Sequence, residues 1–214
     1  MNPMTTGIFG VATPYAWEIV ESLKRANQEI LCIDNLGKAD SRLPNLVPEA
    51  DLNTSIVFGP ALPKARNSCA IAAFQLGFLN LATVIDPTAV IASTVKISHG
   101  VYVNASVTIG SNTEISCGAN INRTASIGHD CMIGQFASIG PGAIFGGHVS
   151  IGRAVFIGAG AVIMPKIHIA DFAIIGAGAV VTKDVAAGEV VVGNPAKFLK
   201  MNEEMAEFQQ CPWH

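Results

Sequence analysis

The pair His129-Asp130 is the part of this sequence best suited to acid–base chemistry. A carboxylate beside an imidazole holds one ring nitrogen and leaves the other to take a proton from an attacking amine or hydroxyl. Gly147 follows eighteen residues later, and a backbone N–H without a side chain beside it is a good donor to an oxyanion. These three residues together indicate acyl transfer. The alternative is a solvent-facing turn histidine with no special task.

The remaining histidines and cysteines do not have the spacing of a metal site. His99, His148 and His168 show no eighteen-residue alignment with one another, which disfavours zinc chemistry with three histidine ligands. The five cysteines are odd in number and scattered, as expected of reduced thiols. Cys131 has the position of a small core residue. We therefore predict that the protein needs no metal.

The elements that must position His129 repeat every six residues. A helix has a period near 3.6 and a strand a period of 2, so a repeat of six needs a short strand followed by a turn. This pattern is typical of a β-solenoid. Three hexads complete a triangular coil, so residues eighteen apart stack with a spacing of ~4.8 Å. The bulky apolar residues of the repeat are Ile85, Ile91, Ile97, Val103, Ile109, Ile115, Ile121, Ile127, Ile133, Ile139, Phe145, Ile151, Ile157, Ile163, Ile169, Ile175 and Val181.

A different pattern precedes the hexads. Residues 5–10, 29–33 and 54–58 are predicted strands, residues 14–26 a helix, and residues 62–76 a second helical stripe. This order indicates a small Rossmann-like α/β unit with parallel strands. Ligands of such units bind at the carboxyl ends of the strands. The residues at these strand ends also suit ordinary turns. The sequence lacks G-x-G-x-x-G, so a dinucleotide is not expected. The candidate substrate-binding residues are Gly10, Val11, Ala12, Asp34, Asn35 and Gly59.

The change from helical spacing to hexads places a domain boundary near Thr83. After the solenoid, Leu199, Met205 and Phe208 have the spacing of a short helix packed over its end, or of a frayed terminus. The predicted units are an α/β domain at 1–82, a β-helix domain at 83–197 and a C-terminal tail at 198–214.

The composition of the chain limits the kinds of partner and the cellular location that we expect. The net charge is −3, 14% of residues are charged and the chain has no basic run, so nucleic acid is not expected. Half of the 214 residues are hydrophobic, yet no apolar run reaches the length of a membrane span. The N-terminus lacks the basic and apolar regions of a signal peptide. We therefore expect a cytoplasmic protein.

Three segments of the repeat resemble the hexapeptide acyltransferases: Ser126–Cys131, Ile139–Ala143 and Gly193–Lys197. The preceding α/β unit makes the chain similar to the branch of sialic acid O-acetyltransferases and bacterial nucleotide-amino-sugar N-acetyltransferases. The resemblance implies a left-handed parallel β-helix, an exception to right-handed crossovers. It also implies a homotrimer that binds acetyl-CoA, the co-substrate, between neighbouring solenoids.

The resemblance assigns roles to individual residues. His129 would be the general base, Asp130 would orient it, and the Gly147 N–H would bind the thioester oxygen. The α/β unit would hold the sugar nucleotide through the strand-end residues named above. The residues expected to contact acetyl-CoA are Asn122, Ser138, Gly147, Ala159, Ala177, Lys183, Pro195 and Lys197.

Two positions depart from the family pattern. A second histidine is common nine residues after the base, where this chain has Ser138. A serine still donates a hydrogen bond but does not carry charge. The first loop, usually glycine-rich with a histidine, here reads Val11-Ala12-Thr13-Pro14-Tyr15, in which Tyr15 would stack on a base or sugar.

The leading hypothesis is an acetyl-CoA-dependent N-acetyltransferase that acts directly on a nucleotide-linked amino sugar in bacterial surface-glycan synthesis. One alternative is an O-acetyltransferase of a sialic-acid-like sugar. Another is a non-catalytic trimer that binds sugar nucleotides or serves as a scaffold, which the two departures would explain. A metal-dependent hydratase is a more distant alternative.

Overall fold

A computed structural model describes residues 5–203 and 208–213. Its first part is a parallel sheet of strands β1 (Thr5–Phe9), β2 (Glu29–Ile33), β3 (Leu46–Val47) and β4 (Ser55–Phe58). The strand order is β3-β2-β1-β4, so the chain winds outward in both directions from β1. The carboxyl ends of β1, β2 and β4 therefore meet at one edge, as predicted. The short strand β3 was not predicted, because two residues are too few to form a pattern.

Two helices flank this sheet. Helix α1 (Ala16–Arg25) follows β1, and helix α2 (Pro63–Leu76) follows β4. Pro63 suits the first turn of α2, where a missing N–H costs nothing. Gly77 ends α2 in the left-handed conformation, with φ of 96°. Neither helix of the described residues is long and apolar enough to cross a bilayer.

The solenoid is built from two-residue strands separated by turns. In chain order they are β5 (Val84–Ile85), β6 (Val90–Ile91), β7 (Lys96–Ile97), β8 (Tyr102–Val103), β9 (Thr108–Ile109), β10 (Glu114–Ile115), β11 (Asn120–Ile121), β12 (Ser126–Ile127), β13 (Met132–Ile133), β14 (Ser138–Ile139), β15 (Ile144–Phe145), β16 (Ser150–Ile151), β17 (Phe156–Ile157), β18 (Val162–Ile163), β19 (His168–Ile169), β20 (Ile174–Ile175) and β21 (Val180–Val181). The hairpin β22 (Glu189–Val192) and β23 (Lys197–Met201) closes it.

Every third strand belongs to the same side of a triangular prism. Side 1 contains β5, β8, β11, β14, β17, β20, β22 and β23; side 2 contains β6, β9, β12, β15, β18 and β21; side 3 contains β7, β10, β13, β16 and β19. From β5 to β21 the pairing is parallel and joins residues eighteen apart, as in Ile121 with Ile139. The predicted hexapeptide β-helix behind a small α/β unit is confirmed.

The bulky residue of each hexad fills the axis of the prism. Ile139 is 1% exposed, whereas Ile85 in the first coil is 40% exposed because no coil covers that end. The small residue two positions earlier is also buried, as at Ala137. The core is therefore a continuous column of alternating large and small side chains.

The α/β unit packs on the first coils of the solenoid. The last pairing with its sheet is a bridge between Ile56 and Leu81, and β5 begins at Val84, next to the predicted boundary. A buried polar contact joins the two parts, since Asp86 Oδ2 accepts hydrogen bonds from Ser22 Oγ at 2.6 Å and Arg25 Nη2 at 2.6 Å.

The end of the chain folds back over the joint, meaning the contact between the α/β unit and the solenoid. Leu199 belongs to strand β23, so the predicted helix through Leu199, Met205 and Phe208 is wrong at its first residue. Met205 lies outside the described residues. Phe208 packs edge-on against the rings of Phe136 and Phe172, so the end of the chain is anchored on the solenoid.

Candidate functional site

Each two-residue strand of the solenoid is followed by a turn at one of the three edges of the prism. Residues at the same position in successive coils are eighteen apart in sequence and stack along one edge. The His129 edge consists of Ser111, His129, Gly147, Pro165 and Lys183. The Ala159 edge consists of Ala105, Arg123, Pro141, Ala159 and Ala177. The His99 edge consists of His99, Cys117, Gln135, Arg153 and Asp171. The three edges decide which of the predicted residues meet.

His129 and Asp130 form the pair that the sequence predicts. His129 Nδ1 lies 2.6 Å from Asp130 Oδ2. Asp130 adopts φ of 56°, which turns its carboxylate back toward the imidazole. Asn112, one coil earlier, donates from Nδ2 to Asp130 Oδ1 at 3.2 Å. The hydrogen bonds from His129 and, second, from Asn112 lower the pKa of Asp130 below its usual range. Since the carboxylate holds Nδ1–H, the Nε2 atom of His129 is left to accept a proton.

Gly147 lies directly over that free nitrogen. A Cβ atom built on Gly147 would come within 2.6 Å of His129 Nε2. The backbone N–H of Gly147 takes part in no hydrogen bond with any described residue. An unused donor thus lies beside the candidate base, the arrangement that an oxyanion requires.

His148 also belongs to this cluster, and the sequence analysis missed it. Its ring packs edge-on against His129 with centroids 5.1 Å apart, and its Nε2 lies 4.0 Å from Asp130 Oδ2. The spacing of nineteen residues hid it, because only residues eighteen apart share an edge position. A φ of 59° at His148 brings its side chain back toward the preceding coil.

Lys183 stands on the His129 edge, three coils beyond the histidine. At ~4.8 Å per coil this separates them by ~14 Å along the edge. The loop that carries Pro195 returns to the same end, since Ala196 N donates to Val180 O at 2.8 Å. Lys197 begins β23, and both lysines are exposed. The far end of the edge therefore carries positive charge.

Ala159 and Ala177 lie on a different edge from His129. They stack one coil apart, are exposed, and Gly178 N donates to Ala159 O at 2.8 Å. Asn122 immediately precedes Arg123 on the same edge, and its Oδ1 accepts from Asn104 Nδ2 at 3.1 Å. Within one chain, a whole side of the prism separates these predicted cofactor contacts from His129.

Ser138 is not available to a cofactor in this geometry. It is 2% exposed, and its hydroxyl donates to Ala61 O at 2.7 Å while accepting from Arg66 Nη2 at 2.8 Å. Its side chain faces outward from side 1, where the α/β unit covers it. Ser138, which stands where the family commonly has a second histidine, therefore has a structural role between the α/β unit and the solenoid.

Arg66 is the second residue that the sequence analysis missed. Its guanidinium is fully buried and donates to backbone carbonyls on both sides of the joint, including Gly118 O at 2.6 Å and Phe136 O at 2.8 Å. No acidic side chain among residues 5–203 and 208–213 forms an ion pair with it. Burial lowers the pKa of Arg66 to about 10, so it stays charged at neutral pH.

The strand ends of the α/β unit lie together but are tightly packed. Gly10, Val11 and Gly59 are buried, and Ala12 is half-buried. Gly59 N donates to Phe9 O at 2.8 Å, and a Cβ on Gly59 would come within 2.6 Å of Gly10 O. These residues shape the base of a site through their backbone rather than through their side chains.

The end of β2 supplies more accessible groups. The Asp34 carboxylate accepts from Lys38 N at 3.1 Å and Ala39 N at 3.0 Å, and these hydrogen bonds, led by that of Ala39, lower its pKa. Asp34 therefore orders its own loop. The Oδ1 atom of Asn35 is buried without a hydrogen-bond partner among the described residues. It borders a cavity of about 310 Å³ lined by Phe9, Ile33, Pro48, Glu49, Ala50, Leu52, Leu76 and Phe78.

The prediction that Tyr15 stacks on a base or sugar is wrong, because its side chain is held by contacts within the protein. Its hydroxyl donates to Asn120 Oδ1 at 3.1 Å, and its ring packs edge-on against Tyr102 with centroids 6.1 Å apart. Burial raises the pKa of Tyr15 to about 12. The first loop is thereby tied to the solenoid.

Comparison with known proteins agrees with this architecture. Residues 148–183 match the family model described as bacterial transferase hexapeptide (six repeats). The crystal structure of PerB from Caulobacter crescentus, in complex with CoA and GDP-perosamine, is 28% identical to this chain, with 94% of this chain and 99% of that chain covered and a TM-score of 0.82.

The chain is thus similar to hexapeptide-repeat acyltransferases in its fold and in the repeat of residues 148–183. WeeI from Acinetobacter baumannii AYE is also 28% identical, with 92% and 100% covered and a TM-score of 0.81. The acetyltransferase domain of PglB from Neisseria gonorrhoeae FA1090, in complex with acetyl coenzyme A, shares the fold at 24% identity, with 92% and 100% covered and a TM-score of 0.83. A comparison with curated protein sequences gave no match.

Proposed function

We propose that this protein transfers an acetyl group from acetyl-CoA to the amine of a nucleotide-linked sugar. The observation that carries the proposal is the His129-Asp130 pair beneath Gly147. It occurs in a chain 28% identical, over 94% of its length, to a protein crystallised with CoA and GDP-perosamine. The chain is also 28% identical, over 94% of its length, to a mutant of GDP-perosamine N-acetyltransferase from Caulobacter crescentus in complex with CoA and GDP-perosamine. A GDP-linked amino sugar is therefore the first acceptor to test.

His129 is the proposed general base. The sugar amine attacks the thioester carbonyl, and Nε2 of His129 takes the proton that the nitrogen loses as the C–N bond forms. The C–S bond then breaks and the CoA sulfur receives the proton from Nε2 of His129, so the base is restored and no covalent enzyme intermediate is needed. Asp130 supports this step because its carboxylate, 2.6 Å from Nδ1, stabilises the imidazolium that forms.

Gly147 is the proposed oxyanion donor. As the amine attacks, the thioester oxygen gains negative charge, and a preorganised N–H lowers the energy of that state more than that of the substrate. The Gly147 N–H has no competing partner among the described residues and lies beside His129. Base and proposed oxyanion donor thus lie side by side on the His129 edge.

Acetyl-CoA is proposed to lie along the His129 edge with its nucleotide end toward Lys183. The ~14 Å between the two residues suits an extended pantetheine arm, given ~4.8 Å per coil. Lys183 and Lys197 are exposed there and supply charge for the phosphates. Pro195 belongs to the loop at the same end.

A homotrimer would complete this site. Ala159, Ala177 and Asn122 lie on another edge of the same chain, so they reach the cofactor only if the Ala159 edge of a second copy packs beside the His129 edge of the first. Three copies related by a threefold axis close such contacts into a ring. The backbone of Ala159 and Ala177 would then face the pantetheine arm.

The nucleotide of the acceptor is proposed to bind at the strand ends of the α/β unit. The cavity of about 310 Å³ beside Asn35 is lined mainly by apolar side chains, as a base requires. The unpaired Oδ1 of Asn35 would accept a hydrogen bond from that base. The reaction is proposed to take place in the cytoplasm.

The test is acetylation of a panel of acceptors, followed by thiol release and by the mass of the product. The panel contains GDP-, UDP- and dTDP-linked amino sugars, free sialic acid, and a matched nucleotide sugar with a hydroxyl in place of the amine. The proposal predicts one acetyl group on an amine-bearing nucleotide sugar and none on its hydroxyl counterpart. Acetylation of the hydroxyl counterpart or of sialic acid alone, or CoA binding without transfer to any acceptor, would overturn it.

A further inference from the structure

A second cluster of reactive side chains lies on a different edge of the solenoid from His129. It consists of His99, Cys117 and Cys211, whose donor atoms all lie within 4.8 Å of one another. Cys117 is 1% exposed and Cys211 3% exposed, and His99 is half-buried. Two buried thiols and an imidazole in mutual contact have the donor set of a thiolate–histidine metal site.

The solenoid itself brings two of the three donors together. His99 and Cys117 are eighteen residues apart and occupy the same turn position in successive coils. Pairing of Ile97 with Ile115 sets their register, and Gly118 N donates to His99 O at 3.1 Å. The spacing is therefore fixed by the coil and does not depend on a flexible loop.

The third donor comes from the end of the chain, which independent contacts hold in place. Asn67 and Gln209 exchange two hydrogen bonds, of 2.8 and 3.1 Å. Trp213 donates from Nε1 to Phe78 O at 3.3 Å and packs against Phe58 and Phe74. These contacts flank Cys211 on both sides and deliver its thiol to the His99 edge.

The distances suit a tetrahedral metal. Zinc bonds sulfur at ~2.3 Å and imidazole nitrogen at ~2.0–2.1 Å, so neighbouring donors in a tetrahedron are separated by roughly 3.5–3.8 Å. Cys211 Sγ lies 3.8 Å from His99 Nε2. Ser98 Oγ lies 3.4 Å from His99 Nδ1 and so engages the ring atom that faces away from the thiol. Orientation of a ligand histidine through its second nitrogen is a common feature of metal sites.

We propose that His99, Cys117 and Cys211 bind a divalent transition metal, with Zn²⁺ as the best fit. Two thiolates and an imidazole favour zinc over the hard ions Mg²⁺ and Ca²⁺. Three protein donors leave a fourth position for water or another side chain. The metal joins the first two coils to the end of the chain. The proposal departs from the expectation drawn from the cysteine spacing in sequence, because the three donors meet across coils and the end of the chain and not within a short motif.

The test is the metal content and cobalt spectrum of the full chain, purified without an affinity tag. No residues are added after His214, because its imidazole, three positions after Cys211, is itself a metal-binding group. We expect one zinc per chain by elemental mass spectrometry. After exchange with Co²⁺, we expect a thiolate-to-cobalt charge-transfer absorption band. Absence of bound metal after reconstitution with Zn²⁺ or Co²⁺ would overturn the proposal.

Variants locate the metal. Cys117→Ser and Cys211→Ser should each weaken binding at least ~10–100-fold, the loss typical even of outer-shell changes. Cys69→Ser and His148→Ala, outside the cluster, should leave the metal content unchanged. If the two cysteine variants fail to fold, alkylation of the wild type decides, since bound metal should protect Cys117 and Cys211 until a chelator is added. Equal metal content in all variants, or a Cys117–Cys211 disulfide in the unreduced protein, would contradict the assignment.

Discussion

Gly147 lies so close over His129 that a Cβ on the glycine would come within 2.6 Å of the imidazole Nε2. Contacts of this length do not occur between real atoms, so one of the two residues must move when a side chain is added. The two residues are one coil apart on the same edge. The lack of a side chain at position 147 therefore leaves space above the candidate base.

Gly147→Ala should displace the His129 imidazole and lower kcat by ~10²-fold, since a misplacement of about 1 Å costs that much. Gly147 does not have a left-handed φ, so the variant should fold with a melting temperature close to that of wild type. The measurement is steady-state thiol release beside a thermal melt. Wild-type turnover in the variant would show that Nε2 is not used.

Asp130→Asn tests whether the charge of the carboxylate matters beyond its hydrogen bond. An amide oxygen still accepts from His129 Nδ1–H, but a charged hydrogen bond contributes ~1–1.5 kcal/mol more than a neutral one. We expect kcat to fall ~10-fold with KM for acetyl-CoA unchanged. An equal loss through KM alone would indicate that Asp130 acts on binding.

Lys183→Ala tests the position of the CoA nucleotide. Loss of one charged contact to phosphate should raise the Kd for acetyl-CoA by ~5–10-fold, equivalent to ~1–1.4 kcal/mol, and the effect should shrink at high salt. Lys96→Ala is the control, because Lys96 is exposed on side 3 and pairs with Glu114 at 2.7 Å. Equal effects of both variants on calorimetric affinity would argue against the proposed path of the cofactor.

Asp86 should make the joint between α1 and the solenoid sensitive to acid. Burial alone raises the pKa of Asp86, but hydrogen bonds from Arg25, Ser22 and Thr88 outweigh it and lower the pKa to about 2. The folded pKa lies below the unfolded value of ~3.9, so this stabilisation is present above pH ~4 and is lost as the pH falls toward 2. It amounts to ~2–3 kcal/mol at neutral pH.

Urea unfolding at pH 7 and at pH 3 measures this contribution to the free energy of unfolding. The wild type should lose more stability than Asp86→Asn on acidification. Glu114→Gln removes an exposed ion pair and should behave like the wild type. The same pH dependence in Asp86→Asn and wild type would exclude Asp86 as its source.

The sequence predicts the solenoid well because its period is set by covalent geometry and core packing. A bulky residue every six positions permits one register, and a shift by one residue would expose the whole column. The pair His129-Asp130 was predicted because its members are adjacent in sequence. Gly147 was predicted because the coil has a fixed length of eighteen residues.

Contacts that depend on the placement of the α/β unit were not predictable in this way. Arg66 contacts Ser138, and Tyr15 contacts Asn120, across the joint from distant parts of the chain. Neither strand nor hexad periodicity specifies how the two parts dock. Arg66 carries no sequence signal, because its partners are mainly backbone carbonyls. His148 and Cys211 reach their clusters through a left-handed turn and a returning tail, respectively.

The most direct test of the account is acetyl transfer to a GDP-linked amino sugar by His129→Ala, with His168→Ala as the control. His168 is an exposed histidine on side 3, two coils beyond the strand that follows His129, and its Nδ1 lies 2.8 Å from Ser150 Oγ. The account predicts that His129→Ala lowers kcat by ~10²–10⁴-fold with unchanged affinity for acetyl-CoA, the usual contribution of a general base. His168→Ala should retain wild-type kcat. Wild-type turnover by His129→Ala would contradict the assignment of His129 as the base.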